Sequence, residues 1–176
     1  SIEFHGREAV VLAVPPSGAS QLVPDLEVPT ETRAIVNAHF RLDRRVTLPD
    51  GANILGLVGG TAQWLFARDN IASVTVSAAD ALAERSADEI TEILWRDVAT
   101  ALTLPLAPRP PCRVVKEKRA TFAQTPDATK KRPRSKTKWK NLFLAGDWTA
   151  TGLPATIEGA VRSGLNASIR ARRYSR

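Results

Sequence analysis

The sequence predicts a mixed α/β protein, intermediate between the α/β and α+β classes, and three observations support this fold class. A short apolar run near the end of the chain is followed directly by an acidic turn and a helical pattern, which is typical of a βα unit in an open α/β sheet. The middle of the chain contains runs that alternate apolar and polar residues, as half-buried antiparallel strands do. The 176 residues, of which 43% are hydrophobic, can bury one sizeable core, and no apolar run is long enough to cross a membrane.

The βα unit near the end is the most informative part of the chain. Leu142–Ala145 predicts a strand in the middle of a sheet, because a strand covered on both faces shows no polar alternation. Asp147 follows Gly146 at the carboxyl end of this strand, the edge where open α/β sheets bind ligands. Pro154 suits the first turn of the next helix. The apolar face of that helix is predicted to contain Ile157, Ala160, Val161, Gly164, Leu165 and Ile169.

The start of this helix predicts a binding site for a polar ligand. Its unpaired N–H groups and the positive end of its dipole are expected to point toward the turn that holds Asp147, where a phosphate or a polar ring edge would fit. Gly159 and Gly164 are poor helix formers, so they indicate close approach of the backbone to a sheet or to a flat ligand. An ordinary βα unit with a capping aspartate is the alternative that the spacing leaves open.

The middle of the chain is predicted to form a second group of strands with one well-defined helix. Ser86 and Glu89 have the spacing of a capping box, and the apolar stripe that follows ends before Pro105. The turn at 49–51 favours chain reversal. Strands are predicted at 34–42, 54–58, 63–66, 73–77 and 113–118.

The stretch 142–164 resembles the C-terminal FAD-contacting motif of the flavin-containing amine oxidase and phytoene desaturase superfamily. Within it, the Gly-Asp-Trp-Thr turn, the helix from Pro154 to Gly164 and the upstream segment 114–122 are most similar to the squalene-associated, FAD-dependent desaturases. The apolar strand and double proline at 9–16 match the point at which such enzymes leave the flavin domain. The resemblance covers most of the chain.

The resemblance implies the C-terminal portion of an FAD-binding, Rossmann-like domain that is interrupted by a substrate domain with a mixed or antiparallel sheet and helices. We expect the end of the first FAD-domain segment at 1–16 and the substrate domain at 17–120. A basic connecting loop is then expected at 121–140, and the C-terminal FAD-domain strand and helix at 141–176. The Gly-x-Gly-x-x-Gly turn of such enzymes and methionine are both missing from the sequence. The chain is therefore expected to lack an N-terminal FAD-binding segment and to be incomplete as an enzyme by itself.

The resemblance also assigns residues to the FAD site. Gly146 would let the backbone approach the cofactor, and Asp147 would hydrogen-bond an oxygen of the ribityl or phosphate portion. The N–H groups around Thr156 and Ile157 would face the pyrimidine edge of the flavin and stabilise negative charge on the reduced ring. Glu158 is placed in the same site, with a favourable interaction with the helix dipole as the alternative. The sequence identifies no catalytic acid or base.

A squalene-type isoprenoid is the substrate that the resemblance implies, with reduction of hydroxysqualene to squalene in hopanoid and isoprenoid biosynthesis as the expected reaction. A carotenoid (phytoene) desaturase or a flavin amine oxidase is the alternative within the class. A non-catalytic basic binding domain is the alternative from another class. Trp64 and Phe66 share one strand face, which we interpret as sheet core rather than as the substrate side of the site.

The net charge of +7 has a local origin. Seven of the 25 lysines and arginines lie in the basic run Lys130–Lys140, and the remaining 18 balance the 18 acidic residues. A solvated loop is the favoured interpretation. Contact with anionic lipid headgroups is the second, and binding of nucleic acid is disfavoured. A cytoplasmic protein is therefore expected, with peripheral contact at the inner face of the membrane as the second interpretation.

The remaining reactive side chains indicate no further chemistry. Cys112 is the single cysteine, so no disulfide framework exists, and we interpret it as a packed or surface thiol in a reducing compartment. His5 and His39 have no second ligand at a metal-binding spacing, so no metal site is predicted.

Overall fold

The computed structural model describes residues 5–176, so the first four residues of the predicted segment 1–16 lie outside the described part. The structure contains helices together with both parallel and antiparallel strand pairs, which confirms the mixed α/β class. A short 3-10 helix at Pro49–Gly51 occupies the predicted turn. The other elements, in chain order, are β1 (Val10–Leu12), α1 (Pro16–Leu22), β2 (Thr32–Arg41), β3 (Ile54–Gly56), β4 (Trp64–Arg68), β5 (Ile71–Ser77), α2 (Asp80–Ala83), α3 (Ala87–Ala101), β6 (Cys112–Phe122), α4 (Pro126–Lys130), β7 (Leu142–Leu144) and α5 (Ile157–Tyr174).

The chain divides into two compact units. Unit 1 combines the segment up to Thr32 with Thr121–Arg176, and unit 2 is Arg33–Ala120. The first segment of unit 1 thus continues beyond residue 16, because Ala19 of α1 and Val28 are buried in its core. Pro16 begins α1 at a helix position that tolerates proline, so the double proline ends β1 without ending the unit.

Unit 1 contains a parallel pair of strands, β1 and β7, with Val10 opposite Leu142 and Leu12 opposite Leu144. Both faces of β7 are covered: Phe143 packs in one cluster with Ala167, and Leu144 packs in another that includes the helix α1. The edge of β7 that does not pair with β1 forms a single β-bridge, between Lys136 and Phe143. Within residues 5–176 the sheet therefore has two strands, β1 and β7.

The helix α5 begins at Ile157, and the prediction of Pro154 in its first turn is wrong. Thr156 is the N-cap, and its hydroxyl accepts a hydrogen bond from the N–H of Gly159 at 3.1 Å. The cap therefore sets the start of the helix three residues later than the proline.

The buried side of α5 also differs from the predicted apolar face. Gly159, Ser163 and Ala167 are buried, whereas Ile157 is 86% exposed. The small residues allow the helix to approach the sheet closely, and the larger apolar residues therefore lie on the opposite side. These exposed residues are Ile157, Val161, Leu165 and Ile169.

Unit 2 is built on a five-stranded sheet in the order β3-β4-β5-β2-β6, with antiparallel pairing from β3 through β2. One face of the sheet forms the core, in which Phe40 and Leu65 pack in one cluster with Leu94 of α3. The predicted capping box of α3 is confirmed: the Ser86 N–H donates to the Glu89 carboxylate at 2.9 Å, and the Glu89 N–H donates to the Ser86 hydroxyl at 3.2 Å.

The interpretation of Trp64 and Phe66 as sheet core is wrong. Trp64 is 46% exposed and Phe66 is 37% exposed, whereas Leu65 between them is fully buried. The side chains of a strand alternate between its two faces, so one buried residue places its two neighbours on the other face. The two aromatic side chains consequently belong to the face of the sheet opposite the core.

Within residues 5–176, no helix has the length and apolar character needed to cross a membrane.

Candidate cofactor site

The turn after β7 requires glycine at position 146. Gly146 has a φ of +147°, and a Cβ atom at this position would lie 2.3 Å from Nε1 of Trp148. Both the backbone conformation and the close indole ring exclude a side chain. The turn itself therefore requires glycine at position 146. The predicted approach of a cofactor to this backbone is not needed to explain the glycine.

Two buried hydroxyl groups hold the polar backbone of the turn. The hydroxyl of Ser163 on α5 accepts a hydrogen bond from the N–H of Gly146 at 2.8 Å and donates one to the carbonyl of Ala160 at 2.7 Å. The hydroxyl of Thr149 donates to the carbonyl of Gly146 at 2.8 Å. Ser163 was not among the predicted site residues, although a small polar residue four positions after Gly159 on one helix face was an available signal.

Trp148 attaches the turn to the end of β1. Its ring is buried, and its Nε1 donates to the carbonyl of Val14 at 3.0 Å. The N–H of Ala145 also donates to the carbonyl of Leu12, at 3.0 Å. These two hydrogen bonds therefore fix the turn to the end of β1.

Asp147 presents a carboxylate that accepts no hydrogen bond from the described part of the chain. Its backbone carbonyl, in contrast, accepts a hydrogen bond from Arg132 at 2.8 Å. The side chain is half-buried, and the backbone around it is held by the contacts above. A half-buried carboxylate on a rigid turn is suited to accept hydrogen bonds from the hydroxyl groups of a ligand.

The start of α5 supplies hydrogen-bond donors. Thr156 uses its hydroxyl for capping, but the N–H groups of Ile157 and Glu158 have no acceptor within residues 5–176. The carboxylate of Glu158 lies 3.4 Å from the guanidinium of Arg162, which favours its alternative role as a helix-end charge over direct contact with a ligand. The free donors of the helix start and the free acceptor of Asp147 fit the polar groups of a flavin nucleotide.

The two helix glycines have different surroundings. A Cβ atom at Gly159 would lie 2.8 Å from the carbonyl of Pro154, so close approach of the backbone explains this glycine. No atom of the described chain lies within 4 Å of the corresponding point at Gly164, so close approach to the sheet does not explain that glycine.

The exposed face of the unit 2 sheet has an apolar side and a polar side. Ile54 is paired with Phe66 and Phe66 with Ser73, so these three residues share a row across the sheet. Ser73 is in turn paired with His39, and its hydroxyl lies 2.9 Å from Nδ1 of the imidazole. Along this row the exposed side chains are therefore apolar on β3 and β4 and polar on β5 and β2.

Cys112 is half-buried, and burial raises the pKa of its thiol above the ordinary value. A raised pKa keeps the thiol protonated at neutral pH and opposes a nucleophilic role. Residues 5–176 contain no group of three or more His, Cys, Asp or Glu side chains that could hold a metal ion.

A βα unit with an acidic turn at the strand end and free donors at the helix start is typical of α/β proteins that bind nucleotide cofactors. Residues 5–171 match the model of the family described as flavin containing amine oxidoreductase. The chain belongs to this family, which confirms the predicted resemblance to FAD-dependent oxidoreductases.

Two relatives are named hydroxysqualene dehydroxylase. The relative from Sinorhizobium fredii is 53% identical over 92% of this chain, and the one from Rhodopseudomonas palustris is 47% identical over 92% of this chain. The chain spans 38% of the length of each relative. A double mutant of putrescine oxidase has a similar fold, with a TM-score of 0.62 and 17% identity, covering 94% of this chain and 42% of that chain.

Proposed function

We propose that this chain is part of an FAD-dependent oxidoreductase that converts hydroxysqualene to squalene. The observation that carries the proposal is the 53% identity, over 92% of this chain, to a protein named hydroxysqualene dehydroxylase. In this reaction a C–H bond replaces the C–O bond: an external reductant supplies two electrons, solvent supplies two protons, and the hydroxyl leaves as water. The flavin, when bound, supplies hydride transfer.

Unit 1 supports the cofactor part of the proposal. The carboxylate of Asp147 would accept hydrogen bonds from the hydroxyl groups of the ribityl portion of FAD. The N–H groups of Ile157 and Glu158 would donate to the polar edge of the flavin and would stabilise negative charge there. In this proposal the flavin carries out the hydride transfer, and these residues bind and orient the flavin.

Unit 2 supports the isoprenoid part of the proposal. Ile54, Trp64 and Phe66 are all at least 37% exposed and lie on neighbouring strands of one sheet face. Such a surface suits the apolar chain of squalene, which offers a protein few polar groups to recognise. The neighbouring polar side of the same face, with His39 and Ser73, is suited to contact the single hydroxyl of hydroxysqualene.

The exposed cations of the basic run support contact with a membrane surface at its cytoplasmic side. Lys131, Arg134, Lys136 and Lys140 are exposed and form no ion pair within residues 5–176. Each such charge near an anionic bilayer contributes on the order of 1 kcal/mol. Full-length protein should therefore sediment with vesicles that contain phosphatidylglycerol, and much less with phosphatidylcholine vesicles. Equal sedimentation with both would contradict this part of the proposal.

Activity of the full-length protein that contains this chain tests the reaction. We expect squalene to form from hydroxysqualene in the presence of FAD and a reductant, as detected by gas chromatography with mass spectrometry. Phytoene and amines are the comparison substrates for the alternatives within the family. Desaturation of phytoene or oxidation of an amine, without squalene formation, would replace the proposed reaction by the corresponding alternative.

Substitution of the aromatic pair tests the substrate surface. We expect the double variant Trp64→Ala and Phe66→Ala to raise KM for hydroxysqualene at least about tenfold, because two large apolar contacts are lost. Val58→Ala is the control, since Val58 is apolar and fully exposed but lies outside the strands. An unchanged KM in the double variant would exclude this face from substrate binding.

A further inference from the structure

Arg132 differs from the other cations of the basic run, because its side chain is half-buried and bonded to the turn after β7. One guanidinium nitrogen donates to the carbonyl of Leu153 at 2.7 Å, and another donates to the carbonyl of Asp147 at 2.8 Å. The second nitrogen also lies 3.4 Å from the hydroxyl of Thr151. The interpretation of the basic run as a solvated loop is therefore wrong at this residue.

The environment of Arg132 is that of a structural group rather than a surface charge. Its guanidinium lies 5.4 Å from the centre of the Phe122 ring, and its Nε is buried without a hydrogen-bond partner in the described part of the chain. Burial lowers the pKa of Arg132, an effect that the carboxylate of Asp147 opposes. The guanidinium nevertheless stays charged, because arginine does not deprotonate in proteins.

The contacts of Arg132 join both ends of one loop. The loop 147–153 runs from the strand end toward the start of α5, and Arg132 binds its first and last carbonyls. The neighbouring residue supports the same loop, since the carbonyl of Pro133 accepts a hydrogen bond from the N–H of Ala150 at 2.8 Å. A planar guanidinium can bridge two carbonyls in fixed directions, which the ammonium of lysine cannot do.

We propose that Arg132 is a positioning residue for the flavin, which fixes the loop 147–153 so that the Asp147 carboxylate and the N–H groups of α5 face the cofactor together. The inference rests on the proposed cofactor role of this site. It assigns a function to one residue of the basic run that is separate from membrane contact. A loop without this bridge would sample other conformations, and part of the binding free energy of FAD would be spent on ordering it.

The test is titration of FAD into the full-length apoprotein that contains this chain, in parent, Arg132→Gln and Arg132→Lys forms. We expect Arg132→Gln to raise Kd for FAD at least about tenfold and Arg132→Lys to raise it less, with a change in the visible spectrum of the bound flavin in both. Arg134→Gln is the matched control, since Arg134 is exposed and the same charge is removed; its Kd should stay within about twofold of the parent.

The thermal midpoint separates positioning from a purely structural role. A lower midpoint of the apoprotein with unchanged Kd and unchanged flavin spectrum would overturn the proposal, as would equal effects of Arg132→Gln and Arg134→Gln on Kd. If Arg132→Gln is insoluble, the same comparison is made with Arg132→Lys. Failure of the parent protein to bind FAD would contradict the cofactor role of the whole site. An Arg132→Gln variant that binds FAD as tightly as the parent would contradict only the role proposed for Arg132.

Discussion

At the scale of single residues, the turn after β7 depends most directly on Gly146. Its φ of +147° is unfavourable for other residues, and the Trp148 ring occupies the space of a side chain. Trp148 itself is held by the carbonyl of Val14. The two residues therefore form one packed arrangement, in which neither the glycine nor the ring can move without the other.

Gly146→Ala is expected to lower the free energy of unfolding by about 2–6 kcal/mol, because a strained backbone and overpacking each cost about 1–3 kcal/mol. Urea unfolding followed by circular dichroism measures the effect. Gly164→Ala is the control in the same unit: it lies in α5 with no atom within 4 Å of a new Cβ, so it should stabilise the protein by about 0.5–1 kcal/mol. Equal effects of the two substitutions would contradict the packing described here.

The predictability of residues in this site depends on how far away their partners lie in the chain. The positions of Gly146 and Asp147 in the turn could be predicted because strand, turn and helix are consecutive in the sequence. Ser163 and Arg132 could not, because their hydrogen bonds to the turn join residues 17 and 15 positions apart. In the sequence, Arg132 is one cation among seven, and only the folded chain shows that it is half-buried.

At the scale of elements, α3 and α5 show what a local pattern determines. The start of α3 could be predicted from Ser86 and Glu89, because a capping box is formed within one turn. The buried side of α5 could not be predicted, since this helix has small residues on one face and large apolar residues on the other. The small face is buried because α5 packs closely against β1 and β7. Sequence periodicity alone carries no information about that choice.

Ser86→Ala is expected to lower the free energy of unfolding by about 0.5–2 kcal/mol, because the N–H of Glu89 loses its capping acceptor. Thermal unfolding of the full-length protein measures the change. Thr100→Ala removes a hydroxyl near the other end of α3 and should change the free energy by less than about 0.5 kcal/mol. A larger effect of Thr100→Ala than of Ser86→Ala would contradict the assigned role of the cap.

The same cap predicts a dependence on pH. Hydrogen bonds from Ser86 hold the pKa of Glu89 below its ordinary value. The stabilisation from this carboxylate is therefore present above the pKa of glutamate in the unfolded chain and is lost as the pH falls through the lowered folded value. The difference in thermal midpoint between parent and Ser86→Ala should accordingly shrink below about pH 4. A difference that grows as the pH falls would show that the carboxylate does not act through this cap.

At the scale of the whole molecule, one chain leaves unit 1, forms unit 2 and returns to unit 1. This order places the turn after β7 and the exposed apolar sheet face in different units of the same polypeptide. The family membership and the mixed α/β class could be predicted because the turn motif is compact and specific. The orientation of Trp64 and Phe66 could not, because alternation along β4 shows that they share a face without showing which face is buried.

The most direct test of the account is the affinity of the full-length protein for FAD when Asp147 is replaced. We predict that Asp147→Ala raises Kd at least about tenfold in a titration of the apoprotein followed by flavin fluorescence, because a free acceptor for the cofactor is lost. Asp127→Ala, which removes an exposed carboxylate paired with Lys130 in the same unit, should leave Kd within about twofold. Tight FAD binding that is unchanged by Asp147→Ala would contradict the assignment of the turn after β7 as part of the flavin site.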